Sequence, residues 1–493
     1  MSRDAARDAL PVLIARGEGL RYPEPDDAFS PGERYPEYAH AALARAANPV
    51  YAALRGMFAA AGLDAERCGT PDWNPLGAFV PRGARVFVLC NFVYHRRPAE
   101  TQEAFFAKCI HGSVLRALVD YALLAVGPEG RVRFGNAPLQ SCDWERVQEE
   151  TGARRVERFY AEQGLSVEAR DLRLLVRPRS GLGRSDAISR RSESAACEID
   201  LAGASLLEEI GAARGRAARF RVCDYDPRRT QGFHSQGRHR YLLHRELLES
   251  DVVISLSKLK THEKVGITCG LKGFVGAVAH KDSLAHHRFG SPAVGGDEYP
   301  ARHRFLQPLS ALHDWVYSRE PEAALQPCFE SADRILRTLA RKSGAVTSGA
   351  WWGNDTAWRM ALDLARILYH ADARGALQPA PQRRHLSLID GIVAGEGNGP
   401  LDPTPVAAGA LIFSDDVAAA DRVACRLLGF APERIPLVQQ ALADPRLGIS
   451  RFRAGDAIPC LDNGRACDDR ALEPCLGRAF RPSEGWLPRL GAG

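Results

Sequence analysis

Residues 251–281 read DVVISLSKLKTHEKVGITCGLKGFVGAVAHK. The segment DVVISLS predicts a buried parallel β-strand, and KLKTH follows near its carboxyl end. The chain has seven lysines against 58 arginines, and five of the seven lie in this stretch, at Lys258, Lys260, Lys264, Lys272 and Lys281. Because an amine can lose its proton whereas a guanidinium stays charged, this concentration indicates a site that needs lysine.

Glycines recur in the same stretch at spacings of three and four, at Gly266, Gly270, Gly273 and Gly276. This spacing predicts one face of a helix whose backbone can be approached closely. We expect Thr268 to cap that helix, and its free N–H groups to face an anion.

Lys272 lies among apolar neighbours, in GLKGFV. An amine in an apolar pocket loses hydration, which lowers its pKa. A neutral amine can act as a nucleophile, a base or a covalent anchor. Lys258 and Lys260 are expected to contact a phosphate or carboxylate group.

Four of the 14 histidines fall within 26 residues, at His262, His280, His286 and His287. Imidazole is the usual acid–base group near neutral pH and a common metal ligand. A solvated polar loop is the alternative for each histidine alone, whereas their clustering with Lys272 favours a functional site.

Composition narrows the class of protein. The chain has 493 residues, 45% hydrophobic and 25% charged residues, and a net charge of +5, without a basic tail. These values predict a globular protein, and the absence of a basic tail disfavours a nucleic-acid partner. The sequence shows no signal peptide, no membrane-spanning run and no CxxC pair among its 12 cysteines, so we expect a cytoplasmic protein without membrane contact. Homo-oligomerisation is left open.

The expected fold is α/β, a mainly parallel sheet with flanking helices, forming two lobes around a central cleft, with a large insertion. Strands are predicted at 84–93, 131–138, 251–257, 385–393 and 409–415, and helices at 103–125 and 416–430. The predicted segments are 1–80 (helical and irregular), 81–150 (first part of the core), 151–245 (insertion or subdomain), 246–300 (core with the His/Lys site), 301–380 (helical insertion), 381–450 (second half of the core) and 451–493 (tail).

Acidic residues follow the strand predicted at 385–393. Asp390 stands at its end, and the turn-rich loop EGNGPLD brings Glu396 and Asn398. Carboxylates there could bind a metal, orient a sugar hydroxyl or fix a histidine tautomer. We expect Asp415 or Asp416 to cap the next helix, and Asp421 to face the site.

The stretch KLKTHEKVGITCGLKGFVGAVAHKDSLAHH (258–287) resembles a bacterial and archaeal family known as domain of unknown function 362. RVRFGNAPLQ, VLCNFV and EGNGP resemble other parts of its pattern. Asn136 stands where that family commonly has Asp, and Leu89 and Cys90 replace Lys and Pro. The resemblance covers 84–145, 250–290 and 385–445. Many members carry a ferredoxin-like cysteine run, which this chain lacks.

The same stretch is distantly similar to the catalytic subunit of nickel-pincer lactate racemases. That similarity implies an acid–base role for His262, a covalent anchor at Lys272 ten residues later, and a metal ligand at His286 or His287. The implied cofactor is a divalent metal (nickel, zinc or iron) or a Lys-linked organic group.

These observations give one set of site predictions. Catalysis is predicted for His262, Lys272, His287 and Glu396. Cofactor binding is predicted for Lys258, Lys260, Lys272, Gly270, Gly273 and Asn398. Metal binding is predicted for His280, His286, His287 and Asp390.

The predicted function is an enzyme acting on a small anionic hydroxylated substrate by histidine acid–base chemistry, as in racemisation or epimerisation. The alternatives are a cofactor-dependent oxidoreductase of a biosynthetic pathway and a non-catalytic ligand-binding protein. No G-x-G-x-x-G fingerprint follows a strand, which disfavours a built-in dinucleotide site.

Overall fold

The computed structural model describes residues 10–491 except 177–178, 181–182, 185–188, 191, 213–214, 216, 224, 301–305, 319–325 and 343. The first third of the chain forms β1 (Val12–Arg16), α1 (Pro49–Ala60), β2 (Arg85–Cys90), α2 (Gln102–Lys108), α3 (Gly112–Val126), β3 (Arg131–Asn136), α4 (Trp144–Thr151), α5 (Ala153–Glu162) and β4 (Val167–Asp171).

Short elements dominate the next segment, which falls in the predicted insertion. They are β5 (Leu175–Val176), β6 (Arg179–Ser180), β7 (Gly183–Arg184), β8 (Ser189–Arg190), β9 (Ala196–Asp200), β10 (Phe220–Arg221), α6 (Pro227–Phe233), β11 (His234–Ser235), β12 (Arg238–His244) and α7 (Arg245–Leu248).

The remaining elements complete the core and the C-terminal region. They are β13 (Val252–His262), β14 (Gly266–Ile267), α8 (Cys269–Gly273), β15 (His287–Arg288), α9 (Leu306–Tyr317), α10 (Gln326–Lys342), α11 (Ala357–His370), β16 (Arg384–Asn398), β17 (Asp402–Ser414), α12 (Val417–Leu427), α13 (Pro436–Ala443), β18 (Pro459–Asp462), β19 (Arg465–Asp468) and α14 (Leu487–Leu490).

One large sheet organises these elements, in the order β19-β18-β1-β17-β16-β13-β2-β3-β4, with β14 pairing β13. The run β16-β13-β2-β3-β4 is parallel throughout. The fold is therefore mixed α/β with a large, mostly parallel central sheet flanked by helices, which confirms the predicted class.

Two hydrophobic cores cover the two faces of this sheet. Neighbouring residues of β13 alternate between them, since Val253 packs in one core and Ile254 in the other. This alternation is that of a strand buried on both sides. The core that contains Ile254 also holds α2 and α3, and the opposite core holds α8, α11 and α12.

The predicted βαβ unit is confirmed, because β2 pairs in parallel with β3. Its connecting helix, expected to run unbroken over 103–125, is instead split into α2 and α3. The His111 side chain accepts a hydrogen bond from the Ser113 N–H and so begins α3. A capping side chain within a continuous apolar pattern ends one helix and begins another.

The ends of the chain contribute strands that the sequence did not predict. β1 pairs with β17 and β18, and β18 forms a hairpin with β19. These strands have only four or five residues, which is too short for a clear periodic pattern. The segments predicted as 1–80 and 451–493 thus both reach the central sheet.

No single helix in the described ranges combines the length and apolar composition that crossing a membrane requires; α2 and α3 meet that test only as a bent pair. The segments predicted at 151–245 and 301–380 include positions outside the described residues. Within 301–380, α9, α10 and α11 agree with the helical character expected.

Candidate functional site

The carboxyl ends of the parallel strands meet at one edge of the sheet. Asn91 follows β2, Asn136 ends β3, and the last residues of β13 lie between β2 and β16. The Asn136 Nδ2 donates to the carbonyl of Phe92 at 3.0 Å. Ligands of open α/β sheets bind at this edge, and the lysine-rich stretch lies there.

Strand β13 is longer than expected. It was predicted to end near Ser257, but it continues to His262. Beyond Lys258 the pairing with β16 resumes at Lys260 and Gly395, and the end of β13 pairs with β14 (Gly266–Ile267). These partners keep the backbone extended, so the first two lysines project from a strand and not from a loop.

Lys258 forms a fully buried ion pair with Asp390. Its Nζ lies 2.9 Å from the Asp390 Oδ2 and donates to the Tyr22 hydroxyl at 2.6 Å. The Tyr22 hydroxyl donates to the Asp390 Oδ1 at 2.7 Å, and its ring stacks on His111 at 4.1 Å between centroids. The Asp390 carboxylate also accepts from the His111 N–H. Lys258 was predicted to bind a cofactor and Asp390 to bind a metal, but the two side chains bind each other.

Lys260 is buried beside this pair and is bound only by neutral acceptors among the residues described. Its Nζ donates to the Asn91 Oδ1 at 3.0 Å and to the Lys108 carbonyl at 2.5 Å. Burial, together with the charges of neighbouring lysines, lowers the pKa of Lys260 to about 7. This amine can therefore gain or lose a proton near neutral pH.

Lys272 differs from these two lysines, because no described residue binds its amine. It lies in α8, is 8% exposed, and in the described part of the chain makes no hydrogen bond or ion pair through its Nζ. Burial and the charge of Lys264 lower the pKa of Lys272 to about 7. This agrees with the predicted effect of its apolar surroundings.

His262 ends β13 and is 3% exposed. Its Nδ1 accepts a hydrogen bond from the Lys264 N–H at 3.0 Å. Burial, followed by the charges of Lys272 and Lys264, holds its pKa well below the usual range, so the ring is neutral. A neutral ring that accepts at Nδ1 carries its proton on Nε2. His262 is therefore prepared to donate a hydrogen bond.

His286 is electrostatically linked to the same group. Burial and then the charges of Lys272, Lys264 and Lys281 hold its pKa well below the usual range. Burial also lowers the pKa of Lys281 to about 7. We name this group the cationic cluster; its members are Lys260, His262, Lys264, Lys272, Lys281 and His286. No carboxylate of a described residue contributes to the pKa shift of Lys272 or His286.

The predicted metal ligands do not form a metal-binding set. Within the described ranges, no three or more His, Cys, Asp or Glu side chains are placed to hold a metal ion. His287 lies in β15, which pairs with β10, and Asp390 is bound by Lys258. His280 lies 3.7 Å from Asp282. The residues present therefore do not fit a metal held by this chain alone.

The amino end of α8 differs from the prediction. Thr268 makes no capping hydrogen bond, and the Gly270 and Leu271 N–H groups donate to the Asp421 carboxylate at 2.7 and 2.9 Å. Burial raises the pKa of Asp421 to about 7. A side chain of α12 thus occupies the position predicted for an anionic ligand, because α12 packs directly on α8.

The glycines of this stretch serve packing. A Cβ at Gly270 would lie 2.6 Å from the Val417 Cγ1, and one at Gly276 would lie 3.1 Å from the Asn136 Cβ. At Gly273 the nearest atom would be the Ser255 Oγ at 3.5 Å, an ordinary contact. The glycine spacing predicted that another group lies close to this backbone, and the groups that do so are side chains of the protein itself.

The EGNGP segment forms the end of the β16–β17 hairpin. Glu396 accepts from the Arg478 guanidinium and the Arg481 N–H, both at 3.0 Å. Asn398 exchanges hydrogen bonds with Glu484. Both predicted site residues thus bind the C-terminal segment. Asp416 caps α12 through the Ala419 N–H, as expected.

Tyr22 and His111 were missed by the sequence reasoning. They lie far from Asp390 along the chain, and the irregular segment that contains Tyr22 carries no motif. The only sequence signal is indirect, since a buried Lys258 and Asp390 needed further polar partners.

Comparison with known proteins gives one family and one relative. A family model described as Domain of unknown function (DUF362) matches residues 207–426. The chain is also 26% identical over 217 residues to the thylakoid-associated protein sll1697 of Synechocystis sp. (strain ATCC 27184 / PCC 6803 / Kazusa). That alignment covers 44% of each chain, so this chain spans less than half of the relative's length. No solved structure matches.

The family match includes the lysine-rich stretch and most of the β16–α12 region. The match does not include residues 84–145, where the sequence also predicted a resemblance to this family. The predicted similarity to lactate racemases is not shown by these matches. The part of the chain that carries the cationic cluster, residues 207–426, therefore matches the DUF362 family model.

Proposed function

We propose that this chain is an enzyme that binds a small anionic hydroxylated substrate at the cationic cluster and transfers a proton through Lys272. The observation that carries the proposal is a buried amine with a pKa of about 7 and no protein partner in the described chain. An amine with this pKa can accept a proton at neutral pH.

The cluster favours an anionic substrate because Lys260 and Lys272 have no carboxylate partner among the described residues, whereas Lys264 lies 3.6 Å from the Glu263 carboxylate. Lys260 is bound by an amide and a carbonyl, and Lys272 by no described residue. Charges removed from water without a counter-ion destabilise a fold unless a ligand supplies the opposite charge. A carboxylate or phosphate group would do so, and it would raise the pKa values of the nearby amines.

The proton transfer follows from the states of Lys272 and His262. The neutral Lys272 amine accepts the proton of the carbon that bears the hydroxyl, and the electron pair moves into the adjacent carboxylate. The His262 Nε2–H donates to the oxygen on which negative charge develops. Return of a proton from Lys272 to the same face exchanges the carbon-bound hydrogen with solvent, whereas delivery of a proton by a donor on the opposite face racemises or epimerises the carbon.

The pH dependence follows from the same assignment. Because Lys272 acts in its deprotonated form, kcat/KM should rise as the pH increases through about 7.

The test is proton exchange with solvent. Purified protein is incubated in D2O with a panel of 2-hydroxy carboxylates and sugar acids, and loss of the C2 proton is followed by 1H NMR. We expect exchange with at least one compound. Intact-mass measurement of the same sample detects an organic group linked to Lys272, the alternative role predicted for this amine.

Two variants separate binding from chemistry. Lys272→Arg keeps the positive charge but cannot deprotonate, so it should bind the anion and lose exchange by at least 100-fold. Lys272→Met should lose both. Full exchange in Lys272→Arg would contradict the proposal, and binding without exchange across the panel would favour a ligand-binding protein.

A further inference from the structure

The α9–α10 hairpin exposes an unusual number of large apolar side chains. Eleven such side chains are exposed in the part of the chain that is described, and six of them belong to this hairpin: Leu312, Trp315, Phe329, Ile335, Leu336 and Leu339. Single exposed apolar residues are normal, but a contiguous group marks an interaction surface.

The spacing along α10 is that of a helix–helix seam. Phe329, Ala332, Leu336 and Leu339 follow one another at steps of three, four and three residues, and all four are exposed. Ile335, which is 60% exposed, adjoins this line. A repeat of this kind places side chains where a second helix can pack against them.

The hairpin presents this seam as a fixed surface. His313 of α9 lies 2.8 Å from Asp333 of α10, and the Trp315 and Phe329 rings meet edge to face at 5.1 Å between centroids. Among the described residues, the hairpin packs on a small separate core of Tyr299, Leu306 and Ala345. Much of the apolar surface of α10 is therefore left for a partner.

The exposed area fits a dimer. The six side chains are 36–60% exposed. Since a large side chain has on the order of 200 Å² to bury, together they present about 500 Å² of apolar surface. A specific interface buries about 800 Å² per partner, of which about 65% is apolar in homodimers, or roughly 520 Å².

We propose that two copies of this chain associate through α10, across a two-fold axis that packs the seam of one copy against the same seam of the other. The seam residues Phe329, Ala332, Ile335, Leu336 and Leu339 are all uncharged. An isologous contact brings identical residues together, so an uncharged seam is compatible with itself.

The test is the mass of the full-length protein in solution, measured by light scattering during size-exclusion chromatography at 1–100 µM. We expect twice the chain mass of 53.8 kDa. The double variant Leu336→Glu/Leu339→Glu should run at the monomer mass with an unchanged far-UV circular dichroism spectrum. The milder Leu336→Ala/Leu339→Ala should raise the dimer dissociation constant at least tenfold.

Leu165→Glu is the matched control, because Leu165 is similarly exposed and lies outside the hairpin; it should remain dimeric. A monomeric wild type at 100 µM would overturn the proposal, as would a dimer that survives both glutamates. Cosedimentation of a monomeric protein with phosphatidylglycerol vesicles, lost in the double variant, would assign the surface to lipid instead.

Discussion

Two lysines on the two faces of the central sheet are both buried, yet their surroundings are opposite. Lys258 lies on the face of α2 and α3, where Asp390 and Tyr22 bind its Nζ within 3 Å. Lys272 lies on the face of α8, where no described residue binds its Nζ. The same side chain is thus paired on one face and unpaired on the other.

The difference separates a structural role from a functional one. A paired buried charge needs nothing further, whereas an unpaired one lowers the free energy of unfolding until it deprotonates or a ligand binds. Lys258 accordingly joins β13 to β16, and Lys272 is available to an anion. Four predictions test this contrast, in order of decreasing effect.

Removing the carboxylate that pairs with Lys258 should change the free energy of unfolding the most. Asp390→Asn leaves the Lys258 charge buried without a carboxylate, and we expect the free energy of unfolding to fall by about 3–5 kcal/mol. Urea denaturation followed by circular dichroism measures it. The control is Lys258→Met/Asp390→Leu, which removes both charges and should recover most of the loss. A loss below 1 kcal/mol in the single variant would mean that the pair does not stabilise the fold.

Replacing Lys272 on the other face should instead raise the free energy of unfolding. Lys272→Met removes an amine whose pKa falls from its ordinary value to about 7 on folding. At pH 7 the free energy of unfolding should therefore rise, by at most about 4 kcal/mol. The same denaturation experiment checks the sign. Destabilisation would show that Lys272 has a partner in the folded protein.

The pH dependence of stability should distinguish the two faces as well. Lys260, Lys272 and Lys281 have folded pKa values of about 7, below that of an ordinary lysine near 10.5. Between pH 7 and pH 10.5 the unfolded chain binds more protons than the folded chain, so the free energy of unfolding rises with pH. Each amine contributes up to about 1.4 kcal/mol per pH unit. From pH 7.5 to 9.5 the slope for Lys272→Met should be smaller by that amount, and an unchanged slope would contradict the lowered pKa of Lys272.

Anion binding should give the smallest effect. At ten times its dissociation constant, phosphate or oxalate should stabilise the wild type by about 1.4 kcal/mol, measured by thermal melting against chloride at equal ionic strength. The effect should be smaller in Lys272→Met, because this variant removes one of the two lysines, Lys260 and Lys272, that have no described carboxylate partner. Equal stabilisation of both proteins would place the anion elsewhere.

The sequence predicted the parts of the fold in which local pattern and tertiary environment agree. The apolar runs at β2, β13 and β16 are buried on both faces, and α12 begins at Asp416 as its capping pattern indicates. The concentration of lysines correctly indicated the carboxyl edge of the sheet, because a lysine-rich segment directly follows a buried strand.

The remaining features depend on contacts between distant residues. Asp421 occupies the amino end of α8 from a helix 150 residues later, and Glu396 binds Arg478 from the C-terminal segment. Tyr22 completes the Lys258 pair across 236 residues. No local pattern encodes such partners. The sequence could therefore predict the apolar surroundings of Lys272, but not that Lys258 is buried and paired with Asp390.

The pKa of the Lys272 amine tests the central claim most directly. With only seven lysines in the chain, a sample labelled with 13C at lysine Cε gives a spectrum simple enough to assign by single variants, including Lys272→Met. Titration from pH 5 to 11 should show the Lys272 resonance changing near pH 7 and moving to higher pH when an anion binds. A midpoint above pH 10, unaffected by anions, would contradict the account.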